Sequence, residues 1–328
     1  FESFSGLTTT GATVIEGIDF LPHSVQFYRQ QLQWLGGMGI IVLAVAILPI
    51  LGVGGMQLYR AETPGPVKDN KMTPRIADTA KHLWYIYLSL TIACAGAYWL
   101  AGMNLFDAIC HAFSTVAIGG FSNHDASLGY FNSPLVNIVC TVFLLIAALN
   151  FSLHYAAVSS RSVKGYFKDP EFKAFFFIQA TLILICFLVL VLSGFYESAE
   201  TALDQAMIQA VSISTTAGFA TTDFSVWPTF LPILLIFSSF IGGCASSTGG
   251  GLKVVRVCLL FLQGKREVDR LIHPKAVYAV KLGERAMPDR VVEAVWGFFS
   301  AYAVVFVVLM VGLIATGLDN LSAFTATA

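Results

Sequence analysis

Ser214-Thr215-Thr216-Ala217-Gly218-Phe219-Ala220-Thr221-Thr222 decides how this chain is read. The stretch is small and rich in hydroxyls, and it lies between two long apolar runs. The segment before it, Thr201 to Ile213, is too short to cross a bilayer, which takes about 20 helical residues. The arrangement recurs: Gly218 sits seven residues after Val211, Gly120 seven after Phe113 and Gly11 seven after Phe4. Ala323-Phe324-Thr325-Ala326-Thr327-Ala328 has the opening of the same pattern without its glycine. Four such short helices, each leading into a small-residue strand, are suited to enclosing one ion pathway.

The solvent of the fold follows from composition. Of 328 residues, 56% are hydrophobic and only 12% charged, against about 25% charged in an average soluble domain. A soluble protein so poor in charge would expose large apolar patches, so the lipid bilayer is the expected partner. A net charge of -1 and the absence of a basic tail give no sign of nucleic acid. The six cysteines are scattered without a C-x-x-C pair, and most lie in apolar runs where a thiol packs as a small hydrophobe. No disulfide framework or zinc site is expected.

Apolar runs at Gln31–Leu58, Leu83–Leu100, Pro134–Val158, Phe172–Leu192 and Val291–Thr316 are read as spans. Thr229–Leu262 is too long for one simple crossing and is expected to break near its middle. The stretches 59–82, 157–173 and 252–290 hold 18 of the 19 Lys and Arg residues. Basic loops mark the cytoplasmic side, so the small-residue strands are expected to face outward. That assignment is consistent only if each short helix enters and leaves on one side, that is, if it is re-entrant.

The expected fold is an all-α integral membrane protein of pseudo-fourfold membrane-pore-membrane repeats. The repeats are 1–58, 83–158, 172–262 with a broken second span, and 291–328 with the first span and the start of a short helix. The chain opens directly in a repeat element, which suggests a trimmed protein. The first and last spans of the array are expected outside this sequence, with a fourth glycine shortly after Ala328.

Non-helical backbone at membrane depth is tolerated only where protein buries it or it lines a wet cavity. Thr8–Thr13, Ala117–Ser122 and Thr215–Ala220 are the candidates. Glycine permits backbone angles closed to other residues, and rings of carbonyls can replace the hydration shell of a potassium ion. The short helices would turn the negative ends of their dipoles toward that axis, with Asp107 and Asp204 near their positive ends. Small-residue turns that merely pack helices are the competing reading. Three turns in a common register, all on the acid-rich side, favour the filter.

A second candidate is Gly242-Gly243-Cys244-Ala245-Ser246-Ser247-Thr248-Gly249-Gly250-Gly251, which lacks the Gly-Lys-Ser/Thr of a phosphate loop. Counted from Pro228 at about 1.5 Å per residue, Gly242 lies about 21 Å into the membrane. A polar loop there is read as a gate under the filter, with a passive helix break as the alternative. Lys253 and Arg256 could couple it to the cytoplasmic side. His154, beside Asn150 and Tyr155, is read mainly as a packing residue, and His111 and His124 as solvated or capping groups on the outer side. No catalytic constellation emerges, so an enzyme is not expected.

These residues resemble the Trk/Ktr/HKT family of cation transporters. The likeness runs through Thr8–Thr13, Gln33-Trp34-Leu35-Gly36-Gly37-Met38-Gly39, Asn150-Phe151-Ser152-Leu153-His154-Tyr155, Ser214–Phe219 and Gly243–Gly251. It implies potassium as the transported ion, without an organic cofactor. Gly11 suggests potassium over sodium, since a serine in the first strand goes with sodium in that family. Carbonyls of the Thr9-Thr10-Gly11, Ile118-Gly119-Gly120 and Thr216-Ala217-Gly218 triplets would bind the ion. The resemblance also implies a homodimer in the bacterial inner membrane, with filter strands toward the periplasm. A cytosolic ring of nucleotide-binding, TrkA-like regulatory subunits would rest on the basic loop, through Lys265, Arg266 and Arg270. A secondary transporter with discontinuous helices, coupled to Na+ or H+, is the alternative.

Overall fold

A computed structural model describes residues 1–42, 76–228, 230–274, 276 and 278–328. Residues 43–75, with the end of the Gln31–Leu58 run and four of the five cations of the 59–82 stretch, lie outside the described residues. The fold is mostly helical. In chain order the helices are α1 (Glu2–Leu7), α2 (His23–Val42), α3 (Ile76–Leu100), α4 (Leu105–Ala117), α5 (Pro134–Ala147) and α6 (Phe151–Ser160). They continue as α7 (Lys164–Lys168), α8 (Pro170–Leu192), α9 (Ala199–Ser214), α10 (Leu231–Ser239), α11 (Val254–Ile272), α12 (Asp289–Ala315) and α13 (Asn320–Thr327). The all-α expectation needs one small correction: β1 (Lys281–Leu282) and β2 (Arg285–Ala286) pair antiparallel, with Gly283 at positive φ in their turn.

Among the described residues, three helical stretches are long and apolar enough to span: Lys81–Leu100, Pro170–Leu192 and Asp289–Ala315. The Pro134–Val158 run, read as a span, is not one straight helix. It is bent by 88° between α5 and α6. The cause lies about a hundred residues downstream, where Cys244 N–H donates to the Ala148 carbonyl (2.8 Å) and Phe151 N–H donates to the Ser246 carbonyl (3.3 Å). Asn150 then starts α6 afresh, its side chain accepting from Ser152 N–H as an N-cap does. The 229–262 run breaks as expected, into α10 and α11 with the glycine-rich loop between them.

The main core is built where the short helices meet the longer ones. Tyr87 and Tyr98 of α3, Ala108 and Val116 of α4, Cys140 and Leu144 of α5 and Val211 of α9 are buried in one apolar cluster. A second cluster joins Leu182, Cys186 and Leu190 of α8 to Ala206 and Ala210 of α9 and to Leu235 of α10. All six cysteines are free thiols. The short helices α4 and α9 are thus wedged among longer ones, so their ends are fixed in position.

Candidate functional site

Three of the short helices end in the same way. From α1, Thr9 N–H donates to Gly6 O and Thr10 N–H to Ser5 O; from α4, Ile118 N–H to Thr115 O and Gly119 N–H to Ser114 O; from α9, Thr216 N–H to Ile213 O and Ala217 N–H to Ser212 O. This is the Schellman closure, with a left-handed residue just past the helix. That residue is usually glycine. Here it is Thr9 (φ 55°), Ile118 (54°) and Thr216 (70°). A β-branched residue at positive φ is an outlier, and such positions persist only where surrounding structure imposes them. Two residues on, Gly11 (φ 76°), Gly120 (79°) and Gly218 (82°) return to the left-handed region. Each turn therefore has a left-handed residue at the glycine and another two before it.

The turns also lie edge to edge. A methyl on Gly11 would run into the Gly119 carbonyl oxygen, and a methyl on Gly120 into the Ala217 carbonyl oxygen. The same contact is repeated from the first turn to the second and from the second to the third. A methyl on Gly218 would meet no heavy atom within 4 Å. All nine residues of the expected filter are therefore brought together.

Bracing groups behind the turns were not singled out from the sequence. Ser5 Oγ donates to the Ala12 carbonyl (2.6 Å) and Ser212 Oγ to the Phe219 carbonyl (2.7 Å). Both serines stand six residues before their glycine, a recurrence visible in the sequence at Ser5, Ser114 and Ser212. The second turn uses α2 instead. Buried Gln33 donates to the Gly119 carbonyl (2.6 Å) and accepts from Ser114 Oγ (2.7 Å) and Phe121 N–H (3.2 Å). Ser214 Oγ donates to Gln179 of α8 (2.8 Å). Arg29, buried, pairs with Glu2 (2.9 Å), donates to the Ser122 carbonyl (3.1 Å) and stacks over Phe121 at 4.3 Å.

The expectation that His111 is a solvated or capping group on the outer side is corrected. His111 is fully buried, with Nδ1 on the Asp107 carbonyl (2.9 Å), Nε2 on Ser122 Oγ (2.9 Å) and its ring edge-on to Phe131. His124 joins Asp19 to Asp107 and stacks on Tyr130 at 3.5 Å. Burial alone would lower the His124 pKa, but its bonds to Asp107 and Asp19 outweigh that and raise it. Burial works to raise the Asp19 pKa, yet the His124 and Asp125 hydrogen bonds leave it lowered. His154 is a staple, bonded to Tyr166 Oη (2.6 Å) and the Ile146 carbonyl (3.0 Å).

The loop from Gly242 to Gly251 lies directly against the second and third turns. Thr248 Oγ1 donates to the Val116 carbonyl (3.2 Å), and Gly250 N–H donates to Thr216 Oγ1 (2.7 Å). A methyl on Gly249 would come within 2.9 Å of the Thr215 carbonyl. Residues 242–249 are all buried. Lys253 holds the loop from its far end, its amine donating to the Ser247 and Gly249 carbonyls. The residue itself sits at φ 77°. Of the three candidate docking cations, Lys265 and Arg270 are exposed. Arg266 turns inward and pairs with Asp289 at 2.6 Å.

A family model described as "TrkH: Cation transport protein" matches residues 1–328. The chain is 70% identical over 330 residues to the Trk system potassium uptake protein TrkH of Vibrio parahaemolyticus, covering 100% of this chain and 68% of that protein. It is 64% identical over 326 residues to its namesake in Escherichia coli K12, covering 99% and 68%. A crystal structure of the potassium transporter TrkH from Vibrio parahaemolyticus superposes with a TM-score of 0.89 at 66% identity, covering 98% of this chain and 66% of that one. The chain thus spans about two thirds of the length of these relatives.

Proposed function

The chain belongs to the TrkH cation transport family, a family of transporters and not of enzymes, and on that premise we propose that it serves potassium uptake across the bacterial inner membrane. The observation that carries the reading is the triple recurrence of one strained helix ending, with the resulting turns set edge to edge. Left-handed residues alternating with others swing successive peptide planes so that neighbouring carbonyls can face one side. The carbonyls of Thr9, Thr10, Gly11, Ile118, Gly119, Gly120, Thr216, Ala217 and Gly218 form three sides of a passage in which they replace water around K+. The helix ends behind them add the negative ends of α1, α4 and α9. Gln33, which already bonds the Gly119 carbonyl, holds the second turn in place.

In this reading the repeats follow a pseudo-fourfold order, α12 and α13 open the fourth, and the turns face the periplasm. The Gly242–Gly251 loop is the gate, because it meets the turns at Val116, Thr215 and Thr216 on the side of their helix ends. The protein acts as a homodimer on a TrkA-like cytosolic ring, and the exposed Lys265 and Arg270 belong to the docking surface. Arg266 is already engaged by Asp289.

Gly11→Ser tests the ion assignment in the full chain reconstituted into vesicles. A side chain at φ 76° beside the Gly119 carbonyl is expected to lower the K+ over Na+ flux ratio about tenfold. An unchanged ratio argues against Gly11 as a filter residue.

A further inference from the structure

One acid is buried at the foot of the loop. Glu171 lies in the first turn of α8 and is 6% exposed. Its Oε1 accepts from Ala245 N–H at 2.7 Å and from Val255 N–H at 3.2 Å. These two amides flank the loop, one just inside it and the other in the first turn of α11. A single carboxylate oxygen therefore staples both limbs of the loop to a third element. An amide stripped of its acceptor in a buried place is costly.

The seat of that acid is in contact with the cytoplasmic hairpin. Pro170, its neighbour, packs on the hairpin turn, where a methyl on Gly283 would stand 3.4 Å from Pro170 Cγ. Val280 and Leu282 of the hairpin share a buried apolar cluster with Ala245, Val255 and Leu259. The hairpin thus touches Pro170, next to the residue that carries the staple, and the limbs that are stapled.

We propose that Glu171 is the latch of the loop, a positioning residue that holds the 242–251 segment against the second and third turns, and that the 280–287 hairpin is the lever through which events on the cytoplasmic side reach it. The inference rests on the gate reading of the loop, but its geometry can be tested without ion flux. Cys244 is 1% exposed and sits inside the loop, so its modification by a water-soluble thiol reagent reads release of the loop directly.

The experiment uses the full chain in vesicles, with labelling of Cys244 followed by peptide mass spectrometry and K+ efflux measured in parallel. Glu171→Ala, and Glu171→Gln where the alanine variant folds poorly, are expected to speed Cys244 labelling about tenfold and to raise basal flux with it. Leu282→Ala, which leaves Glu171 in place, is expected to speed labelling about threefold. Faster labelling in the Glu171 variants with unchanged flux supports the latch and overturns the gate. Unchanged labelling in a Glu171 variant with wild-type elution and melting overturns the latch, whatever the flux does. Unchanged labelling in Leu282→Ala overturns the lever.

Discussion

The turns after α1, α4 and α9 and the loop between α10 and α11 are both irregular backbone, but they are held by different kinds of partner. The first and third turns are braced from their own short helices, by a serine seven residues away from the carbonyl it bonds. The loop hangs on distant elements: Ala148 of the α5–α6 bend, Glu171 of α8, Val116 of α4 and Thr216 of the third turn. A local brace travels with its helix, whereas a bond between elements breaks when either one shifts. The first and third turns are built to stay, and the loop is built so that it can be released.

Two single glycines, one from each region, should show the largest difference. Gly120→Ala must place a methyl into the Ala217 carbonyl at φ 79°, which is expected to cost about 3 kcal/mol or more and to abolish flux. Gly250→Ala meets only the Thr216 side chain, nearest at Oγ1, 3.0 Å, and has no positive φ to sustain, so its melting point should stay close to wild type. Equal losses in the two variants would erase the distinction between fixed turn and movable loop.

The brace on the second turn is the next test. Gln33→Ala strips partners from the Gly119 carbonyl, Ser114 Oγ and Phe121 N–H. About 2–4 kcal/mol of stability should go with them, together with K+ over Na+ preference. Cys244 labelling should not change, because Gln33 does not bond the loop. A variant that melts normally and stays selective would show that the turn needs no brace.

A smaller effect concerns the outer tie of His124. Its pKa is raised in the fold, so the stability it adds is full below the unfolded value and is lost as pH rises through the folded one. The carboxyl of Asp19 is shifted down, so its share is present above its unfolded value and lost as pH falls through the folded one. With solvent screening the tie is worth about 1 kcal/mol or less. His124→Gln should flatten the decline in melting temperature on the alkaline side of the histidine titration, and an unaltered slope would remove His124 from the account.

Much of this was legible because repetition is a pattern in sequence. The spacing of Phe4, Phe113 and Val211 to their glycines located all three turns, and the interrupted 229–262 run located the loop. The right-angle bend after Ala147 was not legible, because α5 and α6 read as one apolar stretch and the cause of the bend is Cys244 and Ser246. His111 was misjudged for a similar reason: Ser122 and Phe131 bury it, and neither is on its helix. Glu171 carried a signal that went unused, a carboxylate at the entry to an apolar run. Gln33 lay within a quoted motif, but nothing local says that a glutamine on one helix will support the backbone of a turn 86 residues away.

The central claim is that main-chain oxygens of the three turns converge on one pathway for K+. Anomalous scattering from crystals of the full chain grown with Tl+ tests it most directly. The account predicts a peak between the Thr9-Thr10, Ile118-Gly119 and Thr216-Ala217 carbonyls. A well-ordered map with those carbonyls turned aside and the ion bound elsewhere would contradict it.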